Sequence, residues 1–262
     1  MHRWLVVLAL AALTLLSCKS VAANNETVRL TILYDNYAHD DRLTTDWGFS
    51  CWIEGLEKTI LFDAGYRPHV FFENVEALGL DVRGIDVAIL SHGHGDHYGG
   101  LSALADLGLP LVVPMGLPTA ARLDIGWPNE DLIYARGSYE ICPGARTTGQ
   151  LTHPLPEHSL VLQTDLGLIV VTGCAHPGVV DLVELALDAY PGESVHLVVG
   201  GFHLGGSSRE DISAAIADLQ QLGVRHVAPT HCTGDLALNL FRRTYGENFF
   251  GAGIGATFEF EL

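Results

Sequence analysis

Basic residues are scarce. The 262-residue chain has 14 Lys and Arg against 31 Asp and Glu, a formal net charge of −17. Nucleic acid and anionic lipid headgroups are both bound through clustered Lys and Arg, so the balance argues against either as a partner. Charge of both signs is low, at 17%, while 48% of residues are hydrophobic, which excludes a disordered chain and provides for a sizeable core. A long apolar run is also missing. The longest stretch, Leu5 to Leu16 with Thr14 inside it, is too short to span a bilayer as a mature helix. No Pro/Ser linker, low-complexity tract or strong internal repeat divides the chain, which reads as one domain over residues 26–262 behind a short leader.

The leader, residues 1–22, has the form of an export signal, with His2 and Arg3 ahead of the apolar stretch. Two cleavage patterns compete. Ser20-Val21-Ala22 offers small residues to a signal peptidase, whereas Leu15-Leu16-Ser17-Cys18 resembles a lipobox that would leave Cys18 as a lipidated first residue. Either places the mature protein in the periplasm or outside the cell, free or lipid-anchored, with no membrane span. Removing the leader takes Arg3 and Lys19 and no acid, so the mature domain is more acidic still. Cysteine is limited to positions 18, 51, 142, 174 and 232. An oxidising compartment permits a disulfide, and Cys51 with Cys142 is the favoured pair, since Cys174 and Cys232 adjoin candidate metal ligands.

Hydrophobic patterning predicts a strand over 28–34, a hairpin of 48–54 with 58–62, a helix over 68–78, a buried strand at 87–90, a helix over 97–107 and a strand at 111–113. Residues 114–157 are irregular and predict short strands or a lid. A second hairpin joins 159–163 to 168–171. Then come a helix at 177–189, a buried strand at 195–199, a helix at 209–222, a strand at 226–228, a helix at 236–245 and a closing strand at 256–260. Strands first and β-α alternation afterwards, in each half, fit an α/β domain of two sheets between helices.

Thirteen histidines stand in this acidic chain, and three fall in one segment, His92-Gly93-His94-Gly95-Asp96-His97, after a buried strand and before a helix. Imidazole and carboxylate together suit zinc, iron or manganese. The two glycines allow the tight backbone that turns alternate side chains inward. His92 and His94 are expected on one ion, Asp96 and His97 on a second. His203 ends the strand at 195–199 after Gly200-Gly201, where β-α units bind ligands, and reads as a substrate-facing group. Asp63, after the strand Ile60–Phe62, is placed to accept an N–H from a ligating imidazole. Asp35 and Asn36 end the first strand and can do similar work. Arg67 and Arg209 lie near predicted site loops and could each hold a phosphate or carboxylate. His2, His39, His69, His153, His196 and His226 have no motif around them and read as surface or packing residues.

His92-x-His94-x-Asp96-His97 resembles the signature of the metallo-β-lactamase fold superfamily. The segments Asp35-Asn36, Phe62-Asp63-Ala64-Gly65, Leu90-Ser91-His92-Gly93-His94, Gly173-Cys174-Ala175-His176, Gly200-Gly201-Phe202-His203-Leu204 and Thr230-His231-Cys232-Thr233-Gly234 are similar to those of its 7,8-dihydropterin-6-ylmethyl-4-(β-D-ribofuranosyl)aminobenzene 5′-phosphate synthase-like branch. The resemblance implies an αββα four-layer sandwich with a dinuclear metal site at one edge, and His231 as the last ligand. The middle ligand stays open among His158, Cys174 and His176. His158 and Cys174 are expected to face each other across the second hairpin, whereas the branch motif points to His176. The chain departs from the branch at Thr45-Asp46-Trp47-Gly48-Phe49-Ser50, where Trp47 and Phe49 either reshape a pocket wall or simply pack.

The expected chemistry is hydrolysis of a small molecule, a phosphoester or a cyclic ester or amide. Two ions about 3.5–4 Å apart would bridge a hydroxide. Asp96 would orient it and accept its proton, while His203 or His176 would protonate the leaving group. A β-lactam hydrolase and a non-hydrolytic metal-binding protein are the alternatives. Metal analysis of the mature domain is expected to find about two zinc, iron or manganese ions per chain. Absence of metal after reconstitution would overturn the reading.

Overall fold

The computed structural model describes residues 27–262. The leader and Cys18 lie outside them. A first sheet contains β1 (Thr27–Tyr34), β2 (Ser50–Glu54), β3 (Ile60–Phe62), β4 (Val87–Ile89), β5 (Leu111–Pro114), β6 (Leu132–Ala135) and β13 (Thr257–Glu261), in the order β13-β1-β2-β3-β4-β5-β6. A second contains β7 (Glu140–Cys142), β8 (Ala145–Thr147), β9 (Leu160–Thr164), β10 (Gly167–Thr172), β11 (Val195–Gly201) and β12 (His226–Thr230), in the order β12-β11-β10-β9-β8-β7. Each sheet is antiparallel in one part and parallel in the other: β3 to β6 run parallel, as do β10 to β12.

The inner faces meet in a core that includes Ile32, Phe62, Ile89, Leu162, Ile169 and Leu197. The outer face of the first sheet is covered by α1 (Pro68–Ala77), which starts on the proline at its first turn, and by α3 (Thr119–Ile125). The outer face of the second is covered by α4 (Val179–Ala189), α5 (Arg209–Gln221) and α6 (Asp235–Tyr245), through Leu182, Ile216 and Phe241 among others. Ser208 caps α5 by accepting the Asp211 N–H. Strands packed on both faces read as unbroken apolar runs, as in β10, where all six residues are buried. The result is the expected four-layer α/β sandwich.

Three local expectations are corrected. The helix predicted over 97–107 is only α2 (Gly95–Tyr98) followed by 3₁₀ turns at Gly99–Ala103 and Ala105–Leu107. Gly99 and Gly100 press against the backbone of Tyr66 and Ala64, where a side chain would collide, so packing sets the path there. The irregular stretch 114–157 contains the expected short strands, β6 to β8, and also α3, which is too short, between Pro118 and a left-handed Gly126, to show helical periodicity. The second hairpin pairs Thr164 with Gly167 and Leu160 with Val171. That register is one residue away from the one that would set His158 opposite Cys174, and a one-residue slip turns a side chain to the other face. Cys51 and Cys142 are both buried free thiols, so the favoured disulfide is not formed.

β1 runs parallel to β3 through two antiparallel pairings, so the carboxyl ends of β1, β3 and β4 share one edge of their sheet. Those of β10, β11 and β12 share one edge of the other. The loops leaving these ends build the site below.

Ile169 is fully buried between the sheets, and Ile169→Ala is expected to cost about 2–5 kcal/mol of unfolding free energy in denaturant titration. Leu166→Ala, at the exposed hairpin tip, is expected within about 0.5 kcal/mol of wild type.

Candidate metal centre

Asp63 leaves β3 with a positive φ of 56° and is fully buried. Its Oδ1 accepts the Ser91 N–H at 2.7 Å. Its Oδ2 accepts the Ser91 hydroxyl at 2.7 Å and the His97 Nδ1–H at 2.7 Å. With its one hydrogen given to Asp63, the Ser91 hydroxyl accepts from His92 Nδ1 at 2.8 Å. One carboxylate thus fixes two imidazoles, each with Nε2 directed inward, the arrangement that outer hydrogen bonds impose on metal-ligating histidines.

Potential ligand atoms lie within 4.8 Å of one another in five overlapping groups, of which two take no cysteine: His92, His94 and His176 in the first, and Asp96, His97 and His231 in the second. His92 Nε2 lies 3.2 Å from His94 Nδ1. Asp96 Oδ2 is 3.7 Å from His97 Nε2 and 3.5 Å from His231 Nε2. Cys174 Sγ sits 3.2 Å from His97 Nε2 and also groups with His92 and His97. The structure sets His92 with His94 and Asp96 with His97, and it also joins His92 to His97 through Cys174.

His176 is held by a residue the sequence did not flag. Glu157, with no solvent exposure, accepts the backbone N–H groups of Cys174 (3.0 Å), Ala175 (2.7 Å) and His176 (2.8 Å), and the His176 Nδ1–H at 2.9 Å. Three consecutive amides converge on it because Ala175 takes a positive φ of 64°. The signal in the sequence was an acid three residues ahead of the buried strand β9.

His231 is anchored by Asn36. Its Nδ1–H donates to Asn36 Oδ1 at 3.0 Å, and Asn36 Nδ2 donates to the His231 carbonyl at 3.3 Å. Asp35 accepts from the Thr230 hydroxyl and the Tyr37 N–H, each at 2.8 Å, and so holds both loops together. His231 Nε2 is buried without a hydrogen-bond partner. An orphaned imidazole nitrogen facing a carboxylate and a second imidazole fits a divalent cation.

His203 stands exposed at the mouth, its ring 4.1 Å from that of His176, and groups with Cys174 and His176. Arg67 is exposed and lies 3.5 Å from Asp46; Arg209 opens α5 in an exposed setting. His158 is buried and donates from Nε2 to the Leu90 carbonyl at 3.0 Å, outside every candidate metal group. Trp47 and Phe49 separate: Phe49 is fully buried, whereas Trp47 is 53% exposed with its ring 5.0 Å from that of His231. Asp63, Ala175, His203 and His231 are the non-glycine residues with positive φ among the described residues, and all four border this site. Such strain is held only where the surroundings over-determine it.

Electrostatics divides the ligands. Burial, followed by the neighbouring imidazoles, keeps His92 and His231 well below the usual imidazole value, and burial with His176 lowers His94. Burial opposes a charge on His97 as well, but there Asp63 prevails and raises it to about 9. Burial pushes the Asp63 carboxyl up too, so both shifts keep one proton on the pair. Burial works against the Glu157 carboxylate, yet the His176 ring and the converging amides hold it below the ordinary range. Burial lifts Asp35 to about 7.

Residues 48–111 match the metallo-β-lactamase superfamily model. Over 90% of its length the chain superposes on all of a solved protein described as a metal-dependent hydrolase of the β-lactamase superfamily, with a TM-score of 0.75 and 26% identity. It also shares its fold with a diphosphatase of the PhnP family, at a TM-score of 0.57 and 16% identity over 90% of this chain and 98% of the other. The chain therefore has the metallo-β-lactamase fold, with a match to that superfamily's model over residues 48–111. Within it, the chain resembles the 7,8-dihydropterin-6-methyl-4-(β-D-ribofuranosyl)-aminobenzene-5′-phosphate synthase of Methanocaldococcus jannaschii, at 28% identity over 86% of this chain and 94% of the relative.

A ligand must lose its proton before it binds metal. At pH 7 His97 lies below its value of about 9 and carries the extra proton. Loading zinc into the metal-free protein is therefore expected to release about one proton per chain, read by calorimetry in buffers of different ionisation enthalpy, and the release should vanish as the pH rises past that value. Glu157→Gln is expected to weaken metal affinity about 10- to 100-fold.

Proposed function

We propose that the protein is an exported, dinuclear-metal-dependent hydrolase of a small molecule, a phosphoester or a pterin-like compound. The observation that carries this reading is the pair of adjoining ligand groups, His92/His94/His176 and Asp96/His97/His231, with their outer nitrogens tied to Ser91, Asp63, Glu157 and Asn36. Divalent ions bound there, zinc above iron or manganese, would supply Lewis-acid polarisation of the scissile group and of a water molecule.

The remaining work falls to the chain. Asp96 is partly exposed and reaches toward both His97 and His231, where it can orient the attacking water and accept its proton. His203, at the mouth beside His176, is the acid for the leaving group. A hydrogen bond donated to the Cys232 sulfur raises its proton affinity above that of a free imidazole, so it holds the proton it must give up. Arg67 and Arg209 are the cations offered to a substrate phosphate or carboxylate. The acidity of the chain supports a small substrate rather than a polyanion such as nucleic acid. The export reading rests on residues 1–22, with a free periplasmic or secreted protein and one lipid-anchored at Cys18 as its two forms.

A second reading is favoured by the similarity to a protein named as a synthase: formation of a bond to a phosphorylated, pterin-like compound. The test is an assay of the metal-loaded mature domain on bis-p-nitrophenyl phosphate, p-nitrophenyl phosphate and a chromogenic cephalosporin. Turnover of a phosphoester, reduced to background in His92→Ala, is expected. Two ions without turnover would favour the synthase or a binding role, and turnover confined to the cephalosporin would replace the phosphoester by a β-lactam.

A further inference from the structure

Trp47 is a large apolar side chain left half in solvent beside a buried metal-ligand candidate. Its ring lies 5.0 Å from that of His231 at a 50° tilt, and the residue is 53% exposed. Its backbone is pinned on both sides. The Asp46 N–H donates to the Asp35 carbonyl at 3.2 Å, and the Asp46 carboxylate accepts from the Tyr34 hydroxyl and lies 3.5 Å from Arg67. Gly48, at φ 146°, packs on the Asp96 carbonyl so closely that any side chain there would collide with it. These contacts hold the backbone on both sides of the half-exposed indole. Tyr66, 52% exposed, stands against Gly95 in the loop that carries His94 and Asp96.

We infer that the exposed indole of Trp47 is the stacking platform for a planar aromatic group of the substrate, placing the scissile bond over the adjoining metal groups. This deepens the hydrolase reading and rests on it. The choice of a flat ring over an aliphatic chain comes from the rim. His94, His203, Asp46 and Arg67 are polar, and the large, half-exposed apolar side chains beside His231 and Gly95 are the aromatic Trp47 and Tyr66. A planar ring can bury one whole face on an indole and keep its polar edge wet, whereas a flexible chain would lose its freedom for one-sided contact.

The experiment compares wild type, Trp47→Ala and Trp47→Phe in the metal-loaded protein on phenyl phosphate and on ethyl phosphate, with metal content measured for each. Trp47→Ala is expected to lose about three- to tenfold more kcat/KM on the aryl than on the alkyl substrate, mainly in KM, and Trp47→Phe to recover most of the difference. Equal losses on both substrates, or a loss that follows a drop in bound metal, would show that Trp47 only covers His231 and would overturn the inference. Titration with phenylphosphonate separates this from the hydrolase reading. Quenching of tryptophan fluorescence in the wild type but not in Trp47→Phe supports stacking even where no ester turns over. Identical responses in the two proteins overturn it whatever the turnover.

Discussion

Asp63 is the interaction on which the site depends. A carboxylate with no solvent contact is costly unless every lone pair is used, and here two donors from Ser91 and one from His97 use them. Through Ser91 it sets the direction of His92, in the first ligand group. Through Nδ1 it sets His97, in the second. Its left-handed backbone is tolerated because β3, β4 and the α2 loop all close on it: the Asp63 N–H donates to the Ile89 carbonyl, and the next residue, Ala64, donates to the His97 carbonyl. The strain and the burial are met by the same contacts that aim the two histidines.

Glu157 and Asn36 repeat this logic at smaller scale. Each sits on a different element from the histidine it orients, so His176 and His231 are held across tertiary contacts rather than within one loop. The four-layer sandwich makes this possible. Parallel strands in both sheets deliver their carboxyl ends to a common edge, so loops far apart in the chain converge on one cleft. The network turns Nε2 of His92, His97, His176 and His231 inward before any ligand arrives, and the low proton affinity of His92 and His231 keeps the nitrogens of those two bare. Pre-organisation of that kind reduces what binding must spend on ordering.

Parts of this were legible in the sequence for physical reasons. Strands packed on both faces leave long apolar runs, and amphipathic helices leave a 3.6-residue period, so the second half of the fold reads well. The segment from His92 to His97 carries its ligands within six residues, and local spacing is visible without a fold. Asp63 was legible because a polar residue at the end of a buried strand stands out. The helix expected over 97–107 broke into turns because Gly99 and Gly100 must pass close to another backbone, a tertiary demand that propensity does not record.

Composition and local pattern alone determined the α/β class and the histidine-rich loop, and they singled out Asp63 and His203. The tertiary structure decided which middle residue joins the first ligand group. His176 does so because Glu157, nineteen positions earlier, gathers three amides and its ring. His158 is turned away because the hairpin register differs by one residue from the symmetric pairing. It also decided that Phe49 is core while Trp47 is exposed, and that Cys51 and Cys142 stay apart as thiols. Register, burial and convergence depend on what lies across the sandwich, and that information is spread over the whole chain rather than held at any one position in it.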